Sequence, residues 1–220
     1  MTMRRVVRPQ LLMWRRMPLQ VLLVHGMART PLSLVRLARE LRCSGYAVHL
    51  TGYVAAFEAF DRMVARVHDQ LLRLARGGEP YVAVGHSLGG LLLRAALAHS
   101  APLPRLPRHL IMLGPPNQSP RLARRLQRLW PYRWINGDAG QRLADPTFMA
   151  AVPTPAVPYT IVAGTGGRRG RFSPFGSEPN DGTVAVSETR CLAVNSVIEV
   201  PVRHTFMMND RRVRRGGQRT

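Results

Sequence analysis

The strongest constraint on this chain is five residues long. Gly85-His86-Ser87-Leu88-Gly89 follows a wholly apolar tetrapeptide, Tyr81-Val82-Ala83-Val84, and opens an apolar stretch from Leu88 to His99. A short run with no polar alternation suits a strand buried on both faces of a parallel sheet. Placing G-x-S-x-G between such a strand and a helix forces a sharp turn that lifts the serine hydroxyl above the sheet edge. With 19 glycines and 9 serines in 220 residues, about 0.07 such pentapeptides arise by chance in a chain this long. The flanking strand and helix are what raise the match above an ordinary glycine-rich turn with an idle serine.

The rest of the chain repeats that alternation. Leu19–Val24, Tyr46–Leu50, Tyr81–Val84, Leu110–Leu113, Tyr159–Ala163 and Val197–Val200 read as strands, and Pro31–Arg42, Phe57–Arg76 and Leu88–His99 as helices. In the second helix Phe60, Val64, Val67, Leu71 and Leu74 fall on one stripe. The order predicts an α/β fold with a mostly parallel central sheet and helices on both faces. Residues 1–18 form a basic arm, 19–210 a single domain, and 211–220 a basic tail expected to be disordered. Residues 115–158 are rich in proline and glycine and read as a small cap inserted before the last strands. Within them, Leu122, Leu126, Leu129 and Trp130 recur at helical spacing over Ser119–Trp134, with Arg121, Arg124, Arg125 and Arg128 between them. That helix either covers the sheet or forms a mobile cap whose arginines meet an anionic lipid surface.

If Ser87 is a nucleophile, it needs a base, an acid that orients the base, and donors for an oxyanion. In this architecture the chain order is serine, acid, histidine. Of the seven histidines, only His99, His109 and His204 follow Ser87. His99 lies in the helix leaving the turn, and His109 begins a strand, at the wrong end of a parallel sheet. His204 follows the last strand, at the end where sites on such sheets lie. Among the intervening acids, Asp181 sits in the turn Asn180-Asp181-Gly182-Thr183 after the strand at 159–163. Glu178 is its nearest competitor, and Asp138 and Asp145 lie in the insertion. The oxyanion donors would be the backbone N–H of Leu88 and that of Met27, in the loop His25-Gly26-Met27 after the first strand.

At these residues the sequence resembles the α/β-hydrolases, and among them small bacterial lipases and esterases. The resemblance runs from Val21 to about Met208. It rests on His25-Gly26-Met27, Gly85 to Gly90, Gly114-Pro115-Pro116-Asn117-Gln118, Asn180-Asp181-Gly182-Thr183-Val184 and His204. It implies that Asp181, in its Asn-Asp-Gly-x-Val segment, is the catalytic acid. Some bacterial lipases bind calcium through an aspartate soon after the catalytic histidine. Thr205 and Phe206 stand there instead, so calcium is not expected.

The implied reaction is hydrolysis of a carboxylic ester, small or lipid, through an acyl-enzyme, with no cofactor. An acyltransferase or thioesterase would use the same three residues, and a binding module on the same fold would use none of them. The net charge of +20 raises a further alternative, nucleic-acid binding. However, all 32 basic residues are arginine, spread along the chain without a nucleic-acid module around them. That pattern reads as compositional bias, and no nucleic-acid partner is expected. Two cysteines make no disulfide framework. Leu11–Trp14 is too short an apolar run for a signal-peptide core. The sequence therefore reads as cytoplasmic. It leaves the oligomeric state and the ester open.

Overall fold

The computed structural model describes residues 18–191 and 197–216, without the side chains of 214–216. Six strands form one sheet: β1 (Gln20–Val24), β2 (Ala47–Thr51), β3 (Tyr81–His86), β4 (Leu110–Leu113), β5 (Tyr159–Gly164) and β6 (Val197–Val200). Their spatial order is β2-β1-β3-β4-β5-β6, and every neighbouring pair is parallel. Each expected strand is present, with ends shifted by no more than two residues. The central ones are largely apolar because both faces are covered, with Gln20, His86 and Thr160 as their polar residues.

One face carries α2 (Phe60–Arg76) and α3 (Leu88–Leu97). There Phe60, Met63, Val67 and Leu71 meet Leu22, Tyr81, Leu91, Leu92 and Leu110. The other face carries α1 (Val35–Cys43) and, near the C-terminus, α8 (Arg211–Gly216), around Val21, Leu23, Leu37 and Met208. Burying each large aliphatic is worth about 1.5–3 kcal/mol. Val213 is buried in this second layer, so residues 211–216 of the tail are helical rather than disordered. Of the arm read at 1–18, residues 1–17 lie outside the described residues, as do the last four residues of the tail.

The chain runs from β1 to β2 on one side and returns to place β3 on the other side of β1. The strand order therefore reverses between β1 and β3, where parallel sheets open a crevice at their carboxyl ends. The loop after β1 and the turn after β3 meet there.

The insertion differs from its expected form. In place of one helix over 119–134, the chain forms α4 (Arg121–Leu126), α5 (Trp130–Ala144) and α6 (Pro146–Ala151), with α7 (Val186–Thr189) after β5. Pro131 explains the break. It has no N–H and its ring collides with the carbonyl four residues back, so it ends one helix and is tolerated in the first turn of the next. The interruption carries Leu129 and Trp130 off the stripe of α4 and into solvent. The helix expected from Phe57 begins at Phe60, whose N–H is capped by Asp138 Oδ2 at 2.8 Å across the molecule.

Candidate active site

Ser87 stands between the last residue of β3 and the first residue of α3, with φ 51° and ψ −122°. A non-glycine residue held there costs on the order of 1–3 kcal/mol and persists only where its surroundings impose it. Those surroundings are backbone. A Cβ on Gly85 would lie 2.5 Å from the Gly90 nitrogen, and one on Gly89 would lie 2.3 Å from the Val24 carbonyl oxygen. Strand, turn and helix thus touch main chain to main chain, which is why the pentapeptide needs glycine at both ends. The Ser87 N–H donates to the Leu113 carbonyl at 2.8 Å, fixing the turn against β4.

His204 opens a 3-10 turn just after β6, and Asp181 lies in the loop after β5. The two side chains meet: His204 Nδ1 is 2.6 Å from Asp181 Oδ2, and both residues are buried. The His204 N–H also donates to the Asp181 carbonyl at 3.0 Å. Asp181 Oδ1 accepts from the Thr183 and Val184 N–H groups at 2.9 and 2.7 Å. The turn residues thus hold the carboxylate and aim its free oxygen at the imidazole. With that oxygen accepting, the Nδ1 position carries the proton and Nε2 is left as the acceptor.

Glu178, the competing acid, is engaged elsewhere. Its carboxylate pairs with Arg121 at the start of α4 and accepts from the Ser187 N–H. Burial acts to raise its pKa, but the bonds from Ser187 and Arg121 prevail and hold it below the usual range. Arg121 is also held by Glu188 Oε1 at 2.9 Å, so two carboxylates anchor the insertion at its base. The other two candidate histidines are also accounted for. His109 Nε2 is 2.9 Å from Thr160 Oγ1, and His99 stacks on His68.

No direct hydrogen bond joins the Ser87 hydroxyl to His204 among the described residues. They are connected through His86, whose Nε2 lies 3.0 Å from the His204 carbonyl oxygen. A carbonyl only accepts, so His86 Nε2 is protonated. Burial first, then the neighbouring His204, holds His86 well below the ordinary imidazole range, so it is neutral. Its Nδ1 is buried without a partner among the described residues. His86 occupies a variable position of the motif, and its contact with a residue 118 positions away carries no local signal.

The loop after β1 lies against the serine. A Cβ on Gly26 would fall 3.1 Å from Ser87 Cβ. His25 is buried and stacks on Tyr53 with centroids 4.1 Å apart. Tyr53 donates its hydroxyl to the His25 carbonyl, and its N–H reaches His25 Nε2 at 3.3 Å. Burial lowers the His25 pKa, partly offset by its bond to the Gly26 carbonyl. Tyr53 was not singled out in the sequence. Neither Met27 nor Leu88 spends its N–H on a hydrogen bond among the described residues. Leu88 stands at the start of α3, where first-turn N–H groups have no helical acceptor.

A hollow of about 540 Å³ flanks the Asp181–His204 pair, lined also by Phe172, Phe206, Arg168 and Arg203. It does not reach Ser87. Among the described residues, no three His, Cys, Asp or Glu side chains converge as a metal site would require, and no helix is long and apolar enough to cross a membrane.

The fold recurs in known proteins. The mature lipase BlEst2 of Bacillus licheniformis superposes with a TM-score of 0.69 at 19% identity, over 88% of this chain and 87% of that one. An extracellular alpha/beta-hydrolase of a Paenibacillus species gives 0.59 at 16% identity, over 91% and 97%. The metagenomic carboxyl esterase MGS0156 gives 0.61 at 18% identity, over 86% and 65%. Likeness at these identities is a likeness of fold. No curated protein matches the sequence. The family model described as the alpha/beta hydrolase family matches residues 21–214, from the first strand through the terminal helix. With a parallel sheet, a serine held at positive φ and an acid–histidine pair at one edge, the chain belongs to the alpha/beta hydrolase family.

Proposed function

We propose that the chain hydrolyses carboxylic esters, with Ser87 as nucleophile, His204 as base and Asp181 as the group that orients the base. The observation that carries this reading is the buried 2.6 Å bond between Asp181 and His204 at the sheet edge where the Ser87 turn stands. His204 Nε2 takes the Ser87 proton as Oγ attacks the ester carbonyl. Asp181 keeps the Nδ1 proton in place and stabilises the imidazolium that forms. The Leu88 and Met27 N–H groups hold the oxyanion, with the positive end of α3 behind Leu88. The imidazolium then protonates the leaving alkoxide. Water, deprotonated by His204, splits the acyl-enzyme and restores Ser87.

The loops that carry Met27, Asp181 and His204 are each tied down by contacts other than the reacting groups. His86 holds the His204 backbone, Tyr53 holds that of His25, and Thr183 and Val184 hold Asp181. Such ties favour preorganisation, which is where most catalysis by charge stabilisation arises. The lipase and carboxyl esterase among the similar structures support the ester reading. The test is pre-steady-state hydrolysis of p-nitrophenyl butyrate. A burst of p-nitrophenol stoichiometric with enzyme is expected, and absence of turnover across acetate, butyrate and octanoate esters would overturn the reading.

A further inference from the structure

The rim of the sheet edge that carries the site leaves large apolar side chains in water. Phe57 is 81% exposed, Trp130 76% and Trp134 67%, and Val54, Leu129 and Ile135 are exposed beside them. They come from two places in the chain, the loop after β2 and the first half of α5, and these two places touch. Trp130 and Trp134 are one helical turn apart and line one shallow hollow with Gly137. A Cβ on Gly137 would lie 2.6 Å from the Ala55 carbonyl oxygen and 2.8 Å from that of Ala56, one residue before Phe57. The bend at Gly137, with φ 54°, is what brings α5 down onto that loop. Contiguous exposed apolar surface of this kind marks an interaction site rather than scattered surface residues.

Its surroundings are cationic. Arg124, Arg125, Arg128 and Arg133 are exposed on α4, on α5 and in the turn between them. No acid occurs from Arg121 to Gly137, and Asp138, which also lines the hollow, is engaged by the Phe60 N–H at 2.8 Å and by Arg142 at 3.6 Å. Glu58, in the loop after β2, is already paired with Arg66 at 2.6 Å. Indole rings prefer the boundary between water and hydrocarbon, and guanidinium groups beside them pair with phosphate headgroups.

We propose that this patch docks the protein on an anionic phospholipid surface, with Trp130, Trp134 and Phe57 entering the headgroup boundary and the four arginines meeting lipid phosphates. Docked so, the carboxyl edge of the sheet faces the lipid. The use of that orientation, delivery of lipid esters to Ser87, rests on the proposed hydrolase activity; the docking does not. Binding by the apolar face and by the charges are separable contributions. Each arginine near an anionic surface is worth about fivefold in partitioning, and each indole contributes through the area it removes from water.

The experiment is co-sedimentation of the full chain with vesicles of phosphatidylcholine alone and of phosphatidylcholine mixed with phosphatidylglycerol, in ~0.1 M salt. Wild type and S87A should sediment equally with the mixed vesicles and weakly with the neutral ones. W130S/W134S should lower partitioning about tenfold or more, with an unchanged melting temperature because both side chains stand in water. It should also keep turnover of a soluble acetate ester, which separates failure of docking from failure of the hydrolase reading. R125Q/R128Q should lower partitioning about fivefold per charge, an effect that disappears in high salt. Equal sedimentation of W130S/W134S and wild type would overturn the proposal, because the net charge alone would then account for binding. So would absence of sedimentation by a wild type that instead binds a single-stranded oligonucleotide.

Discussion

Asp181→Asn separates orientation of the base from stability of the loop. In the structure Asp181 Oδ1 takes two backbone N–H groups and Oδ2 faces His204 Nδ1 at 2.6 Å. An asparagine keeps one oxygen. The Thr183 and Val184 donors claim it, because leaving either unpaired in a buried site costs ~1–3 kcal/mol. The amide nitrogen then takes the Oδ2 position and presents hydrogens to His204. His204 must accept at Nδ1 and carry its proton on Nε2, where it can no longer receive the serine proton. The expected loss in kcat is about 10⁴-fold, the size known when this substitution leaves geometry intact but reverses the tautomer. Stability should change little. Asp181→Ala, in contrast, strands both N–H groups and should lower the melting temperature by about 2–4 °C per kcal/mol lost. Initial rates on p-nitrophenyl butyrate, with a melting curve for each variant, make the comparison. Wild-type activity in Asp181→Asn, or a larger loss in Glu178→Gln than in Asp181→Asn, would refute the reasoning.

Two further outcomes follow from the surroundings of Ser87. Gly89→Ala places a methyl 2.3 Å from the Val24 carbonyl oxygen, and neither the strand nor the helix can move without breaking the turn. The variant should fail to fold or lose activity together with several degrees of melting temperature; wild-type values in both would show that the close approach is not required. The buried His25 and His86 both have pKa values depressed by burial. The unfolded chain protonates them near the ordinary 6.5 while the folded protein does not. Their contribution is therefore intact above about pH 6.5 and is lost as pH falls below it, by up to about 1.4 kcal/mol per pH unit for each. Melting temperatures between pH 8 and pH 5 should decline on the acid side, and less steeply in His86→Asn. A variant profile parallel to wild type would remove His86 from the cause.

The sheet was legible in the sequence because strands covered on both faces have no choice but to be apolar, as Leu22-Leu23-Val24 and Leu110 to Leu113 are. The chain positions of Ser87, Asp181 and His204 were legible because loops at one edge of a parallel sheet must follow its strands. The insertion was misread because the apolar stripe through Leu126 and Trp130 was followed past Pro131, where the backbone could not continue as one helix. The tail was misread because a run of arginines hid Val213, which only tertiary contact reveals as buried. His86 and Tyr53 were missed for the same physical reason. Each acts on a backbone carbonyl far away in the chain, and any residue type can supply a carbonyl.

The most direct test of the account is to find where a fluorophosphonate attaches. Such a probe reacts with a serine only where a base removes its proton and donors receive the phosphoryl oxygen. Intact mass after reaction should show one adduct per chain, and peptide mapping should place it on Ser87. The label should vanish in Ser87→Ala together with about 10⁶-fold of kcat toward a p-nitrophenyl ester. An adduct on another residue, or ester hydrolysis by Ser87→Ala near the wild-type rate, would contradict the assignment of Ser87 and with it the proposed mechanism.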